Sequence, residues 1–223
     1  TFFQKKLYWC HAAKEVEELE DGTRIRKVIG HWHSTDINDQ PLWTDNIDGR
    51  VTQVQGFRGT ICTINQQDYL IKKINGQTIA DVENAKASLE KLKADVESLI
   101  KGLNWQDFEL LIDLVFSKAG WQRFSSLGKT QKDMDLDVYS PTTQKRAFVQ
   151  VKSRTNRAEL EAYIRTFQEY KQFDEMYFIY HTGGSDLSDT ASLAANIHVW
   201  DLKRVSALVV NSGLTEWLIN KRS

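Results

Sequence analysis

Cysteine is nearly absent: Cys10 and Cys62 are the two thiols in 223 residues. Two cysteines make no disulfide framework, and such a chain suits a reducing cytoplasm. Long apolar runs are missing as well. No stretch approaches the roughly 20 residues that cross a bilayer, and no signal-peptide pattern opens the chain, so no membrane partner is expected. Net charge is small. The 29 Lys and Arg nearly cancel 30 Asp and Glu, leaving −1, so the whole molecule is not a polycation. There is no internal repeat and no low-complexity tract. What is present is 41% hydrophobic residues, enough for ordinary cores and too much for a disordered chain. A length of 223 is comfortable for two modest domains. Residue 1 is Thr rather than Met, so the natural start is expected upstream, or trimmed.

Three zones separate along the chain. Residues 1–78 read as a β-rich domain, with turn signals at Glu20–Thr23 and at Asn75–Gly76. Residues 50–65 read as two short strands around Phe57–Gly59. Residues 79–103 read as a connecting amphipathic helix. Val82, Ala85, Leu89, Leu92, Val96, Leu99 and Leu103 follow a heptad seam, expected to pack on its own protein, with a dimer seam as the alternative. Residues 104–223 alternate helix and strand. Asn104 is a helix cap and Gly120 a stop, so a helix is expected to about Lys118. A strand is possible at 121–125. Residues 133–140 and 146–153 alternate as a hairpin, 156–171 form a helix and 176–182 a buried strand. Residues 189–195 look helical, 197–201 form a further strand, and two short helices close the chain. The fold class is α/β: a mixed sheet flanked by helices, preceded by a small β-rich domain and the connecting helix.

The hairpin carries the chemistry. Ala147, Val149 and Val151 point one way, and Gln150 and Lys152 the other, because side chains two apart on a strand share a face. On the preceding strand Asp133, Asp135 and Asp137 lie opposite Met134, Leu136 and Val138. The turn is short, so Asp137 must lie near residues 148–152. Glu109 adds a fourth group. It interrupts a helix stripe that is otherwise apolar, made by Trp105, Ile112 and Phe116, and a carboxylate there needs a partner. An acid pair with a lysine suits phosphodiester hydrolysis. Mg²⁺ takes hard oxygen ligands and activates water, and a lysine steadies developing negative charge. Charge placement agrees. From Lys118 to Arg157 nine Lys and Arg face three Asp, a local +6, which suits a phosphate backbone. Cys10, His11, His31, His33 and Cys62 match no zinc-finger spacing and are expected as packed or surface residues.

"FELLIDLVFSKAGW" (108–121), "DMDLDV" (133–138) and "FVQVKS" (148–153) resemble the Mrr-like branch of the PD-(D/E)XK restriction-endonuclease superfamily. "IHVWDLKRVSALVVNSGL" (197–214) is similar to that domain's last strand and helix. The resemblance spans about residues 104–215. It implies a restriction-endonuclease-like domain over 104–223, with Asp137 as the metal-binding acid and Gln150 at the variant acid position. Lys152 matches the catalytic lysine and Glu109 the helix acid that completes the site. The implied metal set is Asp137, Glu109 and the Val151 carbonyl, around Mg²⁺ or Mn²⁺. Asp135 stands where the family often has Gly, and is either a further metal ligand or solvated. The implied activity is a metal-dependent deoxyribonuclease of type II or type IV restriction, in DNA defence. Lys129, Lys132, Arg146, Arg154 and Arg157 are expected to contact double-stranded DNA. Cutting both strands implies a homodimer or assembly on DNA. Two other readings stay open: an inactive nucleic-acid-binding module with this fold, and a resolvase or transposition nuclease.

Overall fold

A computed structural model describes residues 1–59, 62–124, 134–191 and 193–223. The chain divides into two compact units, Thr1–Ala85 and Lys86–Ser223.

The first unit is built from short antiparallel pairs. β1 (Phe2–Phe3) pairs with β2 (Lys6–Leu7), β3 (Trp9–Ala12) with β6 (Val28–His33), and β4 (Glu17–Glu18) with β5 (Arg24–Ile25). Asp21 and Gly22 turn the β4–β5 hairpin. Gly22 sits at φ 81°, a conformation that costs glycine little. Residues 50–56, expected as strand, are helical instead. The Asp48 side chain accepts the Arg50 backbone N–H at 2.8 Å and opens α1 (Gly49–Thr52), and a 3₁₀ turn continues over Gln53–Gly56. The cap outweighs the strand preference of Val51, Thr52 and Val54, since a satisfied helix start contributes on the order of 1 kcal/mol. Arg50 holds the Asp48 carboxyl down to about 2. α2 (Gln67–Ile74) follows, and the Asn75–Gly76 turn is its C-terminus, with Gly76 at φ 59°. Leu7, Leu42, Ile47 and Val51 form the small buried core. Cys10 and Cys62 are free thiols. The His31 and His33 rings lie 4.1 Å apart, and Trp9 stacks on His33. Among the described residues no group of three His, Cys, Asp or Glu is placed to hold a metal.

The second unit takes up most of α3 (Ala80–Lys101) and then α4 (Trp105–Lys118). The heptad stripe of α3 behaves in two ways. Val96 and Leu103 are buried in this unit's main core with Leu99 packed against it, joined by Ile100 from beside the stripe, whereas Val82, Leu89 and Leu92 are exposed. Asn104 caps α4 by accepting the Asp107 N–H at 2.9 Å. Five strands follow: β7 (Gln122–Arg123), β8 (Leu136–Ser140), β9 (Lys145–Thr155), β10 (Glu175–Gly183) and β11 (Ile197–Trp200). Their order is β11-β10-β9-β8-β7. The first three are parallel and the last two antiparallel, as a hairpin followed by βαβ connections requires.

Helices cover both faces of this mixed sheet. Phe108, Leu111, Ile112, Val115 and Phe116 of α4 pack on Leu136, Val138, Ala147, Val149 and Val151. α6 (Leu202–Asn211) and α7 (Thr215–Arg222) add Val205, Val209 and Leu218 to the same core. α5 (Arg157–Glu169) covers the other face, placing Leu160 and Phe167 with Phe148, Met176 and Phe178. Each such side chain contributes about 1.5–3 kcal/mol on burial, and truncating Phe116 to Ala would cost about 3–5 kcal/mol. One expected helix is absent. Among the described residues of 189–195 there are only turns, and a 3₁₀ turn lies earlier, at Ser185–Ser188. Arg157 binds the carbonyls of Asp186 and Asp189, and Leu187 is fully buried, so this loop is tied to α5 instead of coiling. Among the described residues no helix is long and apolar enough to cross a membrane.

Candidate active site

β8 and β9 place the polar residues. Their register sets Leu136 against Val149, Asp137 against Phe148 and Tyr139 against Arg146. The Asp135 backbone N–H donates to the Val149 carbonyl at 3.3 Å, which brings Asp135 alongside Gln150. β8 ends there and β9 continues. On its other side β9 pairs with β10, setting Gln150 beside Phe178 and Lys152 beside Tyr180. Residues facing each other across a ladder share a face. One face therefore carries, in order, Arg146, Asp137 with Phe148, Asp135 with Gln150, and Lys152.

Asp137 was expected at the metal, and the structure turns it elsewhere. Arg146 donates to it twice, from Nε at 2.9 Å and from Nη2 at 2.5 Å. The guanidinium lies between two rings, 4.4 Å from the centre of Phe124 and 5.1 Å from that of Phe173. A bidentate ion pair uses both carboxylate oxygens and fixes the planar cation. Arg146, expected to meet DNA, is committed to this inward clamp.

Asp135 holds the position expected for Asp137. Its Oδ2 accepts the Val151 backbone N–H at 2.7 Å and a hydrogen bond from Gln150 Nε2. Burial pushes the Asp135 carboxyl above its usual range, against the pull of the Val151 N–H and of Lys152. Gln150 is only 3% exposed. Its Nε2 must face the carboxylate, because turning the amide over would set oxygen against oxygen. The Gln150 Oε1 is then buried with no hydrogen-bond partner among the described residues. A buried amide oxygen left unpaired costs about 1–3 kcal/mol, so it marks a place for a donor or a cation.

Glu109 and Lys152 complete the group. Glu109 is half-buried on α4. Burial first, and then the charge of Asp135, push its carboxyl above the usual range, while Lys152 and Arg123 draw it back. Lys152 Nζ stands over the Tyr163 ring of α5, 5.1 Å from its centre. Burial disfavours its charge, but the Tyr163 hydroxyl, Asp135 and Glu159 outweigh that and raise it above the usual lysine range. Glu109, Asp135, Gln150 and Lys152 therefore converge, while Asp137 stands apart from them. Two carboxylates, an amide oxygen and the adjacent main chain of Val151 form a hard oxygen set of the kind that suits Mg²⁺ or Mn²⁺.

The other expected contacts scatter. Lys129 and Lys132 lie outside the described residues, as does Asp133. Arg154 is exposed. Arg157 binds Glu161 at 3.1 Å and the loop carbonyls of Asp186 and Asp189. Tyr163, beneath Lys152, does not stand out in the sequence, where it is one tyrosine within the expected helix 156–171. Counting back from the closing pair of the turn, Ser140 with Lys145, sets Asp135 rather than Asp137 beside Gln150.

Residues 100–209 match the family model Mrr_cat, described as a restriction endonuclease. No curated protein and no solved structure matches the chain.

Proposed function

Residues 100–209 belong to the Mrr-like restriction endonucleases, and from that premise we propose that the protein is a Mg²⁺-dependent endonuclease hydrolysing phosphodiester bonds in double-stranded DNA. Mn²⁺ would serve the same ligands. One observation carries the metal site: the buried Gln150 Oε1, unpaired among the described residues, beside Asp135, a carboxylate that accepts from two neutral donors there. Asp135, Glu109, Gln150 Oε1 and the Val151 carbonyl would hold the cation. When bound it neutralises phosphate charge and activates water.

The chain's own residues do the rest. The Val151 N–H and the Gln150 Nε2–H both donate to Asp135 Oδ2 and so fix the carboxylate and the amide against each other. Lys152 faces the site as a positive charge, placed to steady the negative charge that grows on the phosphate and to orient the attacking water. The Asp137–Arg146 pair is structural in this proposal. Arg154, with the basic residues of the 118–157 stretch, follows the DNA backbone. Cleavage of both strands calls for two copies, as a homodimer or on DNA. A role in DNA defence, in the cytoplasm, follows the family resemblance.

Plasmid cleavage tests the reading. The full chain should nick or linearise DNA with Mg²⁺, and not with chelator. Asp135→Asn and Lys152→Ala should abolish this, while Asp137→Asn, assayed below its melting temperature, should still cut. DNA binding that survives without any cleavage in Mg²⁺ or Mn²⁺ would instead identify an inactive binding module, to which the neutral Gln150 is suited. Preference for junctions over linear duplex would point to a resolvase.

A further inference from the structure

Lysine is a poor choice for a fixed charge. Its four methylenes carry about 2 kcal/mol of rotamer freedom, so an unsupported ammonium sweeps a wide volume. Lys152 is not unsupported. Its Nζ lies over the face of Tyr163, 5.1 Å from the ring centre. The Tyr163 ring packs in turn against Phe178, with centroids 5.9 Å apart. Phe178 is fully buried and pairs with Gln150 across the β9–β10 ladder. The ring beneath the ammonium is thus anchored to the strand position adjoining Gln150.

α5 fixes where that ring stands. Asn156 caps the helix by accepting the Glu159 N–H at 3.0 Å, and the Thr155 hydroxyl donates to Glu159 at 2.7 Å. The end of β9 and the first turn of α5 are therefore bonded together. Glu159 is the acid that would otherwise draw Lys152 towards the helix, and Thr155 and the cap restrain it.

We propose that Tyr163 is a positioning residue for Lys152: its ring face holds the ammonium over the Asp135–Gln150 end of the sheet. The proposal rests on Lys152 acting in cleavage. The raised pKa of Lys152, with the Tyr163 hydroxyl as its leading favourable cause, agrees with a contact that favours the charged form. A cation over an aromatic face gains about 0.5–2 kcal/mol. The competing account is that Tyr163 only fills space between α5 and Phe178.

The test compares wild type, Tyr163→Phe, Tyr163→Leu and Lys152→Ala in two measurements on the full chain. The first is steady-state DNA cleavage. Tyr163→Phe keeps the ring and should lower kcat about threefold. Tyr163→Leu should lower it about thirtyfold or more, within the hundredfold that an ångström of misplacement can cost. KM should stay unchanged in both, because the lost interaction acts on the chemical step. The second measurement is the NMR signal of the Lys152 ε-methylene, assigned by its absence in Lys152→Ala. The ring current should shift it upfield of the other lysines in wild type and Tyr163→Phe, and Tyr163→Leu should return it to the common lysine position. An unshifted Lys152 signal in wild type overturns the proposal, as does wild-type kcat in Tyr163→Leu while Lys152→Ala is inactive. A space-filling role predicts a lower melting temperature in Tyr163→Leu with kcat unchanged below it. If Lys152→Ala cuts like wild type, the active-site assignment itself has failed, a result distinct from either outcome at Tyr163.

Discussion

Asp135, just before β8, and Asp137, within it, sit two residues apart and face the same side of one sheet, yet their surroundings are opposite. Asp137 meets a guanidinium that binds both of its oxygens and is itself held between two rings. Among the described residues the hydrogen bonds to Asp135 come from neutral donors, a backbone N–H and an amide, while Glu109 and Lys152 act on it through charge. One end of the face is closed by a bidentate ion pair. The other sets two carboxylates and an amide oxygen beside one lysine. Burying carboxylates without full compensation is expensive. Where it occurs beside an orphaned amide oxygen, a binding site is the economical explanation.

The comparison can be broken most directly by exchange of the two acids. Asp135→Asn should remove cleavage by about a thousandfold or more, the scale of losing charge that acts on the transition state. Asp137→Asn should leave the rate within a few-fold. Gel assays of plasmid nicking distinguish them, and equal losses would end the distinction.

Stability should show the reverse order. Asp137→Ala leaves a half-buried guanidinium beside Phe124 and Phe173 without its carboxylate and should cost about 1–3 kcal/mol, measured by urea denaturation. Asp135→Asn should cost nothing in chelator and even gain stability, because it removes a charge that burial already disfavours.

Metal should report on one end only. Saturating Mg²⁺, at about a hundred times its dissociation constant, should stabilise the protein by about 2.7 kcal/mol. A thermal shift should show the gain in wild type and Asp137→Asn and lose it in Asp135→Asn. Gln150→Glu should melt earlier than wild type in chelator, because it sets a third acid against Asp135. It should also gain more from Mg²⁺ than wild type does.

A third buried acid gives the smallest and most discriminating effect. Glu175 is bound by Lys145 and accepts the Tyr177 hydroxyl at 2.8 Å. Burial opposes its charge, but these partners prevail and hold its carboxyl below the usual range. A depressed carboxyl stabilises the fold above its unfolded pKa, and that contribution is lost as pH falls through the folded value. Glu175→Gln should therefore cost about 1 kcal/mol at neutral pH and nothing below the carboxylate range. Asp135 is raised, so in chelator its sign is opposite: Asp135→Asn should gain stability at neutral pH, and the gain should vanish in acid. Melting curves across pH give both slopes.

The sheet and its helices were legible because each buried stripe repeats in sequence. α4, the β8–β9 hairpin, α5, β10 and β11 all follow from apolar spacing. Residues 50–56 were not, since one capping side chain, Asp48, overrode a local strand preference. The loop after β10 was not, because its conformation depends on Arg157, some thirty residues away in sequence. Within the site, Glu109, Gln150 and Lys152 were legible as residue types out of place on apolar elements. The choice between Asp135 and Asp137 was not. Both lie on the same face of the strand, and only the pairing register distinguishes them.

That ambiguity gives the Arg146 clamp a second meaning. The sequence sets aspartate at 133, 135 and 137. Sliding β8 along β9 by one residue would expose the core, but sliding it by two would leave every apolar side chain facing inward. Hydrophobicity alone cannot tell these alignments apart, and each would deliver a different aspartate to Gln150. Arg146 distinguishes one of them. Fastened by Phe124, Phe173 and its backbone N–H bond to Asp174, it needs a carboxylate beside it, and the slide that would bring Asp137 to Gln150 would set Tyr139 there instead. The ion pair that takes no part in the proposed chemistry thus keeps Asp137 out of the Gln150 position.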